Sequence, residues 1–504
     1  MIRTTLFCIT AVIAFFFCIV PSAFSTVDLQ IICALPYDFN VVTAVIWTGA
    51  AFELAVEAAN RRYSPHVNVS LRFLYNSSHR TCDDIAADSV RSLSEFYYRQ
   101  TRVDTVHALV TTRWDWLLIA NGLAPDEFLD AEHYPTALAI AGTFRGYAVV
   151  LRNFLLFHRW RHVSVLLQTG VVVYRTLSES FLCLNDEVEE SQAPKLLVNF
   201  CTFEETNSSM AKALDCAKKS SRVIVVLSRG TTALKLLIFA TDAGLDNGEY
   251  VFINVQPMQQ NAYGRSTLFS HPTVKKLAIF RAFFYLTYRS SGLGTEALDA
   301  MIAAKTKSLY NRTFESGSQP LDSYAVRASF DIVDLLAATV NESSSEVKAA
   351  ASRTSTPWSG RNLLRRITHR TFLNQTLGDV YVGDARYLDM DIFAFSTNTR
   401  TMQPIGSWTW ATGQFLWRSQ MEVDWPTTDG QPPLDVPLCG FAGCSLTNSR
   451  LTTAVASVLV VVLLMICAVY ARQRFIFWTA KGVWLTAEHI GAPKMDGRTR
   501  SCLL

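Results

Sequence analysis

The tripeptide Trp114–Asp115–Trp116 is the group of residues best suited to contact a ligand, and it begins two residues after the strand-like run 107–111. An indole offers an apolar ring together with an N–H donor, and a carboxylate can pair with a cation. Parallel sheets bind ligands outside the carboxyl ends of their strands, and these residues come at such an end. We therefore expect a pocket wall here. The alternative is that the two tryptophans pack beneath a neighbouring helix.

Motifs for catalysis are absent from the sequence, which has no P-loop, no His-Glu-x-x-His, no Gly-x-Ser-x-Gly and no paired Cys-x-x-Cys. His158 and His162 are four residues apart, but a predicted boundary between a helix and a strand separates them, which argues against metal ligation. The formal net charge of +3 does not come from a long run of one sign, so no nucleic-acid partner is indicated. We expect no catalytic residue, no metal and no cofactor.

Two apolar segments set the expected topology. Residues 1–25 combine Arg3, an apolar run and small residues before a cleavage point near Ser25, as in a secretory signal peptide. Residues 451–471 carry no charge over 21 residues, enough for a helix to cross a bilayer, and basic residues follow in the tail 472–504. We expect a single-pass plasma-membrane protein of type I, with its amino terminus outside the cell.

Glycosylation signals fall on the side that this topology places outside. Each is an Asn-x-Ser/Thr sequon, and the tail 472–504 contains none. The predicted glycosylation sites are Asn68, Asn76, Asn207, Asn311, Asn341 and Asn374.

The predicted extracellular part holds an odd number of cysteines. Of the eleven in the chain, seven lie there: Cys33, Cys82, Cys183, Cys201, Cys216, Cys439 and Cys444. Thiols mostly pair in an oxidising compartment, so one of the seven is expected to stay free or to bond to a second chain.

Short β-type runs alternate with longer helical ones from Thr26 onward. In segment 43–62 apolar residues recur every three or four positions, as on one face of a helix. Strands such as 223–227 are apolar throughout, which is typical of a parallel sheet covered on both faces. The alternation is regular up to Val255 and looser beyond it, and it predicts a doubly wound α/β fold within an extracellular domain of residues 26–423. Four prolines then predict a stiff, extended juxtamembrane stalk over 424–450.

Five segments resemble one known family. The string WPTTDGQPPLDVPLCGF, with Cys444 and a single span after it, resembles the juxtamembrane region of receptor-type guanylyl cyclases and natriuretic-peptide receptors. HRWRHVSVLL, RVIVVLS and ATDAGLDNGEYVFINV resemble landmarks of the same extracellular ligand-binding region in the family's order, and TCDDIAADSV also fits it. The resemblance implies a type I periplasmic-binding-protein fold, with two doubly wound lobes joined by crossovers near residues 142 and 256, plus one transmembrane helix. It also implies a homodimer, or a heterodimer with a related receptor.

The cysteines depart from the family's pattern. Where relatives carry a Gly-Pro-Gly-Cys loop, this chain reads LVTTRWDW, so Cys82 lacks the partner that the family would give it. The family's cysteine in the strand matching RVIVVLS is also absent, so the resemblance implies that Cys183 pairs with Cys201 or Cys216. The matched juxtamembrane string implies a disulfide in the pair Cys439–Cys444.

The expected function is that of a cell-surface receptor that binds an extracellular peptide or small molecule through its two lobes. The tail 472–504 is too short to bury the kinase-like and cyclase domains of the family. We therefore expect no enzyme in this chain, and a role as a decoy or clearance receptor or as a non-catalytic partner. Two alternatives stay open: a truncated receptor guanylyl cyclase whose full-length form makes cyclic GMP, and a non-signalling adhesion or structural ectodomain.

Overall fold

The computed structural model divides the chain into two units, Met1–Val436 and Pro437–Leu504. It describes residues 26–38, 43–78, 82–100, 105–110, 117–187, 194–258, 263, 278–289, 296–314, 321, 323–350, 358–375, 378–418, 423, 425–427, 430–437, 440–441 and 446–487. The predicted signal peptide 1–25 lies outside these residues, so it stays a prediction.

The first lobe is built on a parallel sheet of five strands. They are β1 (Val27–Ala34), β2 (Val67–Leu74), β3 (Thr105–Val110), β4 (Leu117–Ala120) and β5 (Ala137–Ala139), in the spatial order β2–β1–β3–β4–β5. Helices α1 (Val45–Tyr63) and α2 (Cys82–Gln100) connect the first three strands. The sequence pattern predicts all of these elements except β4 and β5, because runs of four and three residues are too short to show a period.

Residues 140–143 lead into the second lobe, which begins with α3 (Phe144–Phe157). Five parallel strands follow: β6 (His162–Gln168), β7 (Leu197–Phe203), β8 (Val223–Leu227), β9 (Val251–Val255) and β10 (Phe283–Tyr288). Between them lie α4 (Val172–Glu187), α5 (Asn207–Lys218) and α6 (Gly230–Asp242).

The chain then returns to the first lobe. Helices α7 (Glu296–Tyr310) and α8 (Tyr324–Ala350) pack on α1, and α9 (Gly360–Ile367) packs on α8. Gly49 of α1 allows the contact with α7, because a Cβ there would lie 2.2 Å from Oη of Tyr310. Strands β11 (Arg370–Gln375) and β12 (Gly378–Val382) form a separate antiparallel hairpin.

The chain passes between the lobes three times: at residues 140–143, after β10, and at residues 383–389. The third passage takes it back to the second lobe. There β13 (Met390–Ser396), β14 (Thr401–Thr409) and β15 (Gln414–Trp417) add antiparallel strands. The complete order of this sheet is β15–β14–β13–β10–β9–β8–β6–β7. The fold is therefore mixed α/β with two parallel sheet cores, as expected for a periplasmic-binding-protein-like receptor domain.

Both faces of the second sheet are covered. On β8, Val223 and Val225 join one apolar cluster, while Ile224 and Val226 join another, and all four are fully buried. The first cluster includes residues of α3 and α4, and the second includes residues of α5 and α6. Each buried aliphatic side chain contributes about 1.5–3 kcal/mol to folding. This two-sided burial is the reason that the strands read as uninterrupted apolar runs.

The crossover expected near residue 256 is wrong. Strand β10 pairs in parallel with β9, with Phe283 opposite Phe252, so the chain is still in the second sheet at Tyr288. The return to the first lobe lies beyond Tyr288. A short 3-10 helix, Ala278–Ala282, directly precedes β10.

The expected pairing of Cys183 is also wrong. Cys201 and Cys216 form a disulfide, with their Cα atoms 6.2 Å apart, and Cys183 is a free, exposed thiol on α4. The reason is the two-sided sheet: Cys201 of β7 belongs to the cluster that packs on α5, whereas α4 packs on the opposite face. Cys33 is a second free thiol in the described part of the chain, and it is buried in β1.

The second unit contains helix α10 (Leu446–Ala487). Within it, Val455–Phe477 has a mean hydropathy of 2.5 and is long enough and apolar enough to cross a membrane. This stretch overlaps the predicted span 451–471. The described residues contain one helix of this kind.

Candidate functional site

The carboxyl ends of the parallel strands in both lobes meet the crossovers. Residues 140–143 leave the carboxyl end of β5 and enter α3. Four residues separate α3 from β6, and both pack in the same apolar cluster, so α3 runs back along β6 and begins near the strand's carboxyl end. The edges that bind ligands in doubly wound sheets therefore lie on the side where the lobes are joined. We call this region the interlobe edge.

In the second lobe, Gln256 is the centre of a buried polar cluster at this edge. It directly follows β9, and its Oε1 accepts a hydrogen bond of 2.8 Å from the phenol of Tyr174, at the start of α4. Thr287 of β10 donates to the Gln256 carbonyl at 3.0 Å. Burial raises the pKa of Tyr174 well above its ordinary value, against the effect of its bond to Gln256, so this phenol stays neutral.

A cation lies beside this cluster. Arg229 follows β8 at the start of α6, and its exposed guanidinium lies over the ring of Tyr263, 5.5 Å from the ring centre. The Arg229 backbone N–H donates to Oε1 of Gln168, the last residue of β6, at 3.1 Å. The carboxyl ends of β6, β8 and β9 thus supply an amide, a guanidinium and a second amide to one edge. Of these three groups the Arg229 guanidinium is exposed, whereas the two amides are buried and position the elements around it. This guanidinium can pair with an anionic part of a ligand.

In the first lobe, aromatic rings follow the carboxyl ends of β1 and β2. Tyr37 and Tyr75 stack with their ring centres 4.7 Å apart, and Tyr75 is exposed. Asn121, just after β4, donates a hydrogen bond of 3.2 Å to the hydroxyl of Ser329 on α8. The first-lobe edge therefore offers the surface of two aromatic rings, whereas the second-lobe edge is polar.

The three passages between the lobes are tied together by a backbone hydrogen bond and by ion pairs. The backbone N–H of Arg386 donates to the Ala139 carbonyl at 2.8 Å, and its guanidinium pairs with the buried Asp331 of α8. Arg289, directly after β10, pairs with Asp389 at 3.2 Å. Burial raises the pKa of Asp389, against the effect of nearby N–H donors and Arg289. These contacts join all three passages at one place, where a hinge between the lobes would be.

The opposite end of β6 binds the proline-rich segment. The indole N–H of Trp160 donates to the Pro433 carbonyl at 2.9 Å, and Asp435 accepts from the backbone N–H groups of Arg161 and His162 at 2.8 Å each. The Trp425 carbonyl, ten residues before Asp435, accepts from Arg281 at 3.3 Å. The described residues of 425–435 therefore lie against the second lobe.

An aromatic cluster surrounds His158 at this end. Its ring stacks on Trp160 at 4.5 Å and meets Trp425 edge-on at 6.0 Å. Its Nε2 is shielded from solvent and has no hydrogen-bond partner in the part of the chain that the structure describes. Burial lowers the pKa of His158 to about 4, so the imidazole is neutral near pH 7.

Several residues predicted from sequence lie outside the described part of the chain. Trp114, Asp115 and Trp116 follow the end of β3 at Val110, but the structure does not describe them, and the same is true of Cys439 and Cys444. Among the sequons, Asn68, Asn76, Asn207 and Asn311 are exposed, and Asn341 is half-buried on α8. Asn374 is on β11, and its side chain lies outside the description. Within the described residues there is no cluster of side chains suited to a metal.

The sequence contains a signal for the second-lobe residues that the prediction missed. Gln168, Arg229 and Gln256 each come at the carboxyl end of an apolar strand, the same position that drew attention to Trp114. The rule applied to β3 would have found them if it had been applied to β6, β8 and β9. Tyr174 and Tyr263 have no such signal, because tertiary packing brings them to the edge.

Comparison with known proteins identifies the region that contains this edge. The model of the receptor family ligand binding region matches residues 48–398. The chain is 25% identical over 231 residues to the receptor-type guanylate cyclase gcy-28 of Caenorhabditis elegans. The aligned region covers 44% of this chain and 17% of that protein. It is 20% identical over 478 residues to guanylate cyclase 2G of Mus musculus. This aligned region covers 89% of this chain and 41% of that protein. The chain thus spans less than half the length of either relative.

Proposed function

The chain belongs to the receptor family ligand binding region, and we propose that it is a single-pass cell-surface receptor whose extracellular ligand binds at the interlobe edge. The observation that carries the proposal is the convergence of strand ends at this edge within the matched region 48–398. The apolar stretch Val455–Phe477 supports a membrane span. In this proposal the amino terminus is extracellular and the protein resides in the plasma membrane.

The ligand would contact different chemistry on the two lobes. On the second lobe, the exposed guanidinium of Arg229 suits an anionic or hydrogen-bonding group of a peptide or small molecule. On the first lobe, the Tyr37 and Tyr75 rings suit an apolar or planar group. A ligand that contacts both lobes stabilises the arrangement in which they are close, and so shifts the equilibrium between open and closed forms.

The closed form would act on the membrane helix through the second lobe. Pro433 and Asp435 are bound to that lobe by Trp160, Arg161 and His162, so its movement carries these residues with it. A homodimer, or a heterodimer with a related receptor, would convert the movement into a changed distance between two spans. A receptor of this design can serve as a decoy or clearance receptor or as a non-catalytic partner of a complete cyclase.

A thermal-shift screen tests the binding proposal. The full chain in lipid nanodiscs is heated with a library of secreted peptides and small metabolites, and we expect at least one compound to raise the melting temperature. The variant Arg229→Ala should lose this rise, whereas Arg361→Ala, which removes an exposed guanidinium on α9, should keep it. A rise that is the same in both variants would place the ligand elsewhere, and no rise with any compound would favour an adhesion or structural role.

A second candidate function follows from the two relatives, which are both guanylate cyclases. In this alternative the chain is the receptor part of a longer protein that makes cyclic GMP. Two measurements distinguish the two candidate functions. The transcript is sequenced beyond the codon for Leu504, and cyclic GMP is assayed in cells that express the resulting protein. Cyclase coding sequence in frame, together with cyclic GMP formation, would support the second candidate.

A further inference from the structure

A group of exposed apolar side chains lies at the end of the second lobe that binds residues 425–435. Phe157 is 55% exposed, Leu416 is 54% exposed and Trp417 is 37% exposed. The Phe157 and Trp417 rings are 5.1 Å apart, so they form one continuous surface. Leu434, 60% exposed, and Val436, 42% exposed, belong to the segment that binds beside them. We call these five residues the Trp417 patch.

Contacts within the fold hold Leu434 at the start of β6. Its two neighbours are both fixed, Pro433 by the indole of Trp160 and Asp435 by the backbone of β6. His158 links the sides of the patch, because its ring stacks on Trp160 and meets Phe157 at 5.1 Å. A chain of contacts through His158 and Trp160 thus links the Phe157 and Trp417 rings to the segment that carries Leu434.

Exposed arginines lie close to members of this patch along the chain. Arg159 and Arg161 lie on the turn between α3 and β6, and Arg418 directly follows Trp417. Aromatic and aliphatic side chains flanked by guanidinium groups are the combination found where proteins rest on a bilayer, with the rings among the head groups and the cations on the phosphates. The same three positive charges would repel their counterparts if a second copy of the chain covered the patch through a two-fold axis.

The chain length keeps this surface within reach of a membrane. Ten residues, 436–445, connect Asp435 to the first residue of α10. A segment of this length spans at most about 35–40 Å, even when it is fully extended. This link is therefore short enough for the patch to reach phospholipid head groups.

We infer that the Trp417 patch binds the phospholipid surface of the bilayer in which the chain is anchored. Phe157, Trp417 and Leu434 enter the head-group region, and Arg159, Arg161 and Arg418 contact lipid phosphates. The inference rests on the membrane span of the proposed function, but it is independent of the ligand site. It gives the second lobe a membrane contact besides its covalent link.

Photochemical labelling from lipid tests the inference. The full chain is placed in phosphatidylcholine nanodiscs that contain a photoreactive phosphatidylcholine, and the adducts are mapped by mass spectrometry. We expect adducts on peptides that contain Phe157, Leu416–Trp417 and Leu434, and a several-fold loss of these adducts in the double variant Leu416→Asp, Leu434→Asp. The control Tyr98→Asp, Met301→Asp changes exposed apolar residues of the first lobe and should keep the adducts.

The labelling of α10 separates the possible failures. Adducts on Val455–Phe477 without adducts on the Trp417 patch would overturn this inference and leave the proposed membrane span intact. Cross-links from the patch to a second copy, or to residues of its own chain, would also overturn it. If α10 itself gained no adducts, the span would fail, and the proposed function would fail with it. Equal melting temperatures of the two double variants would exclude unfolding as the cause of lost adducts.

Discussion

Asp435 binds His162 twice: one carboxylate oxygen accepts the backbone N–H of His162 at 2.8 Å, and the other lies 2.8 Å from Nδ1 of the same residue. His162 is the first residue of β6, and Gln168 at the other end of this strand bonds the backbone of Arg229. A single buried strand therefore connects the interlobe edge to the segment that leads toward α10. A strand of seven residues is about 20 Å long and rigid within its sheet, so it can transmit a displacement.

The variant Asp435→Ala should release residues 430–437 from the second lobe. It removes the acceptor of two backbone N–H groups and the partner of the His162 ring. Hydrogen bonds to a charged group contribute about 1.5–3 kcal/mol, and we expect a loss of this size in the free energy of local opening. Hydrogen exchange of the full chain should show faster exchange at Arg161, His162 and residues 430–437.

The matched control for this variant is Asp215→Ala. Asp215 forms an exposed ion pair with Lys218 on α5, and exposed pairs contribute little. Exchange at residues 430–437 should not change in this control. If Asp435→Ala left the exchange of that segment unchanged as well, Asp435 would not hold the segment in place.

His158 should make the second lobe sensitive to acid. Burial lowers its pKa from 6.5 in the unfolded chain to about 4 in the folded one, so between these values the unfolded state binds more protons. The contribution of His158 is complete above pH 6.5 and decreases as the pH falls toward 4. The difference in stability between pH 7.5 and pH 4.5 is about 2–3 kcal/mol from this residue alone.

The variant His158→Phe isolates this contribution. Phenylalanine keeps a ring that can stack on Trp160, and it has no proton to gain. Unfolding of the full chain at pH 7.5 and pH 4.5 should show a smaller acid destabilisation in this variant than in the wild type. His133→Phe, at an exposed ring on the first lobe, is the control. The same acid sensitivity in His158→Phe and the wild type would mean that the imidazole is already protonated in the folded state.

Most of the fold could be predicted from the sequence because its strands and helices have strong periods. Buried strands such as β8 are apolar throughout, and α1 shows its buried face at helical spacing. The return crossover could not be placed, because β10 resembles β9 in composition and only pairing shows that both belong to one sheet. The covalent partner of Cys201 was missed for a similar reason, since the face of a sheet that a helix covers is a property of topology.

The candidate site was less accessible from sequence than the fold. Strand ends mark Gln168, Arg229 and Gln256, but their contacts with Tyr174 and Tyr263 join residues that are far apart in the chain. The hinge pair Arg386–Asp331 has a separation of 55 residues and no local pattern. Patterns in a sequence report the environment of a segment, and a site formed by several segments needs the arrangement of all of them.

Peptide mapping without reduction should recover one peptide pair that joins Cys201 to Cys216, and Cys183 should react with an alkylating reagent in the native protein. Replacing both bonded cysteines with serine opens a link across 15 positions of the chain. In the chain-entropy description, a loop of this size contributes about 3 kcal/mol, and we expect a loss of that order in the free energy of unfolding.

The single variant Cys183→Ser provides the comparison for this map. It should leave the Cys201–Cys216 peptide pair and the stability of the chain unchanged, because Cys183 is exposed and unbonded. Recovery of Cys183 in a disulfide with either of the other two cysteines would contradict the structure and restore the pairing that the family resemblance implies.

The buried pair Arg386–Asp331 should be the most sensitive contact between the third passage and the first lobe. The Asp331 side chain is 1% exposed and that of Arg386 is 9% exposed, so Arg386→Met removes a cation from a carboxylate that water hardly reaches. Losing one partner of a buried pair costs about 3–5 kcal/mol. Adding Asp331→Asn to Arg386→Met should recover part of this loss, because the amide carries no charge.

A double-mutant cycle on the unfolding of the full chain measures the coupling energy between Arg386 and Asp331. The exposed pair Arg175–Glu179 is the control, and its expected coupling energy is about 0–1 kcal/mol. Equal coupling energies for the two pairs would mean that Arg386 does not neutralise Asp331.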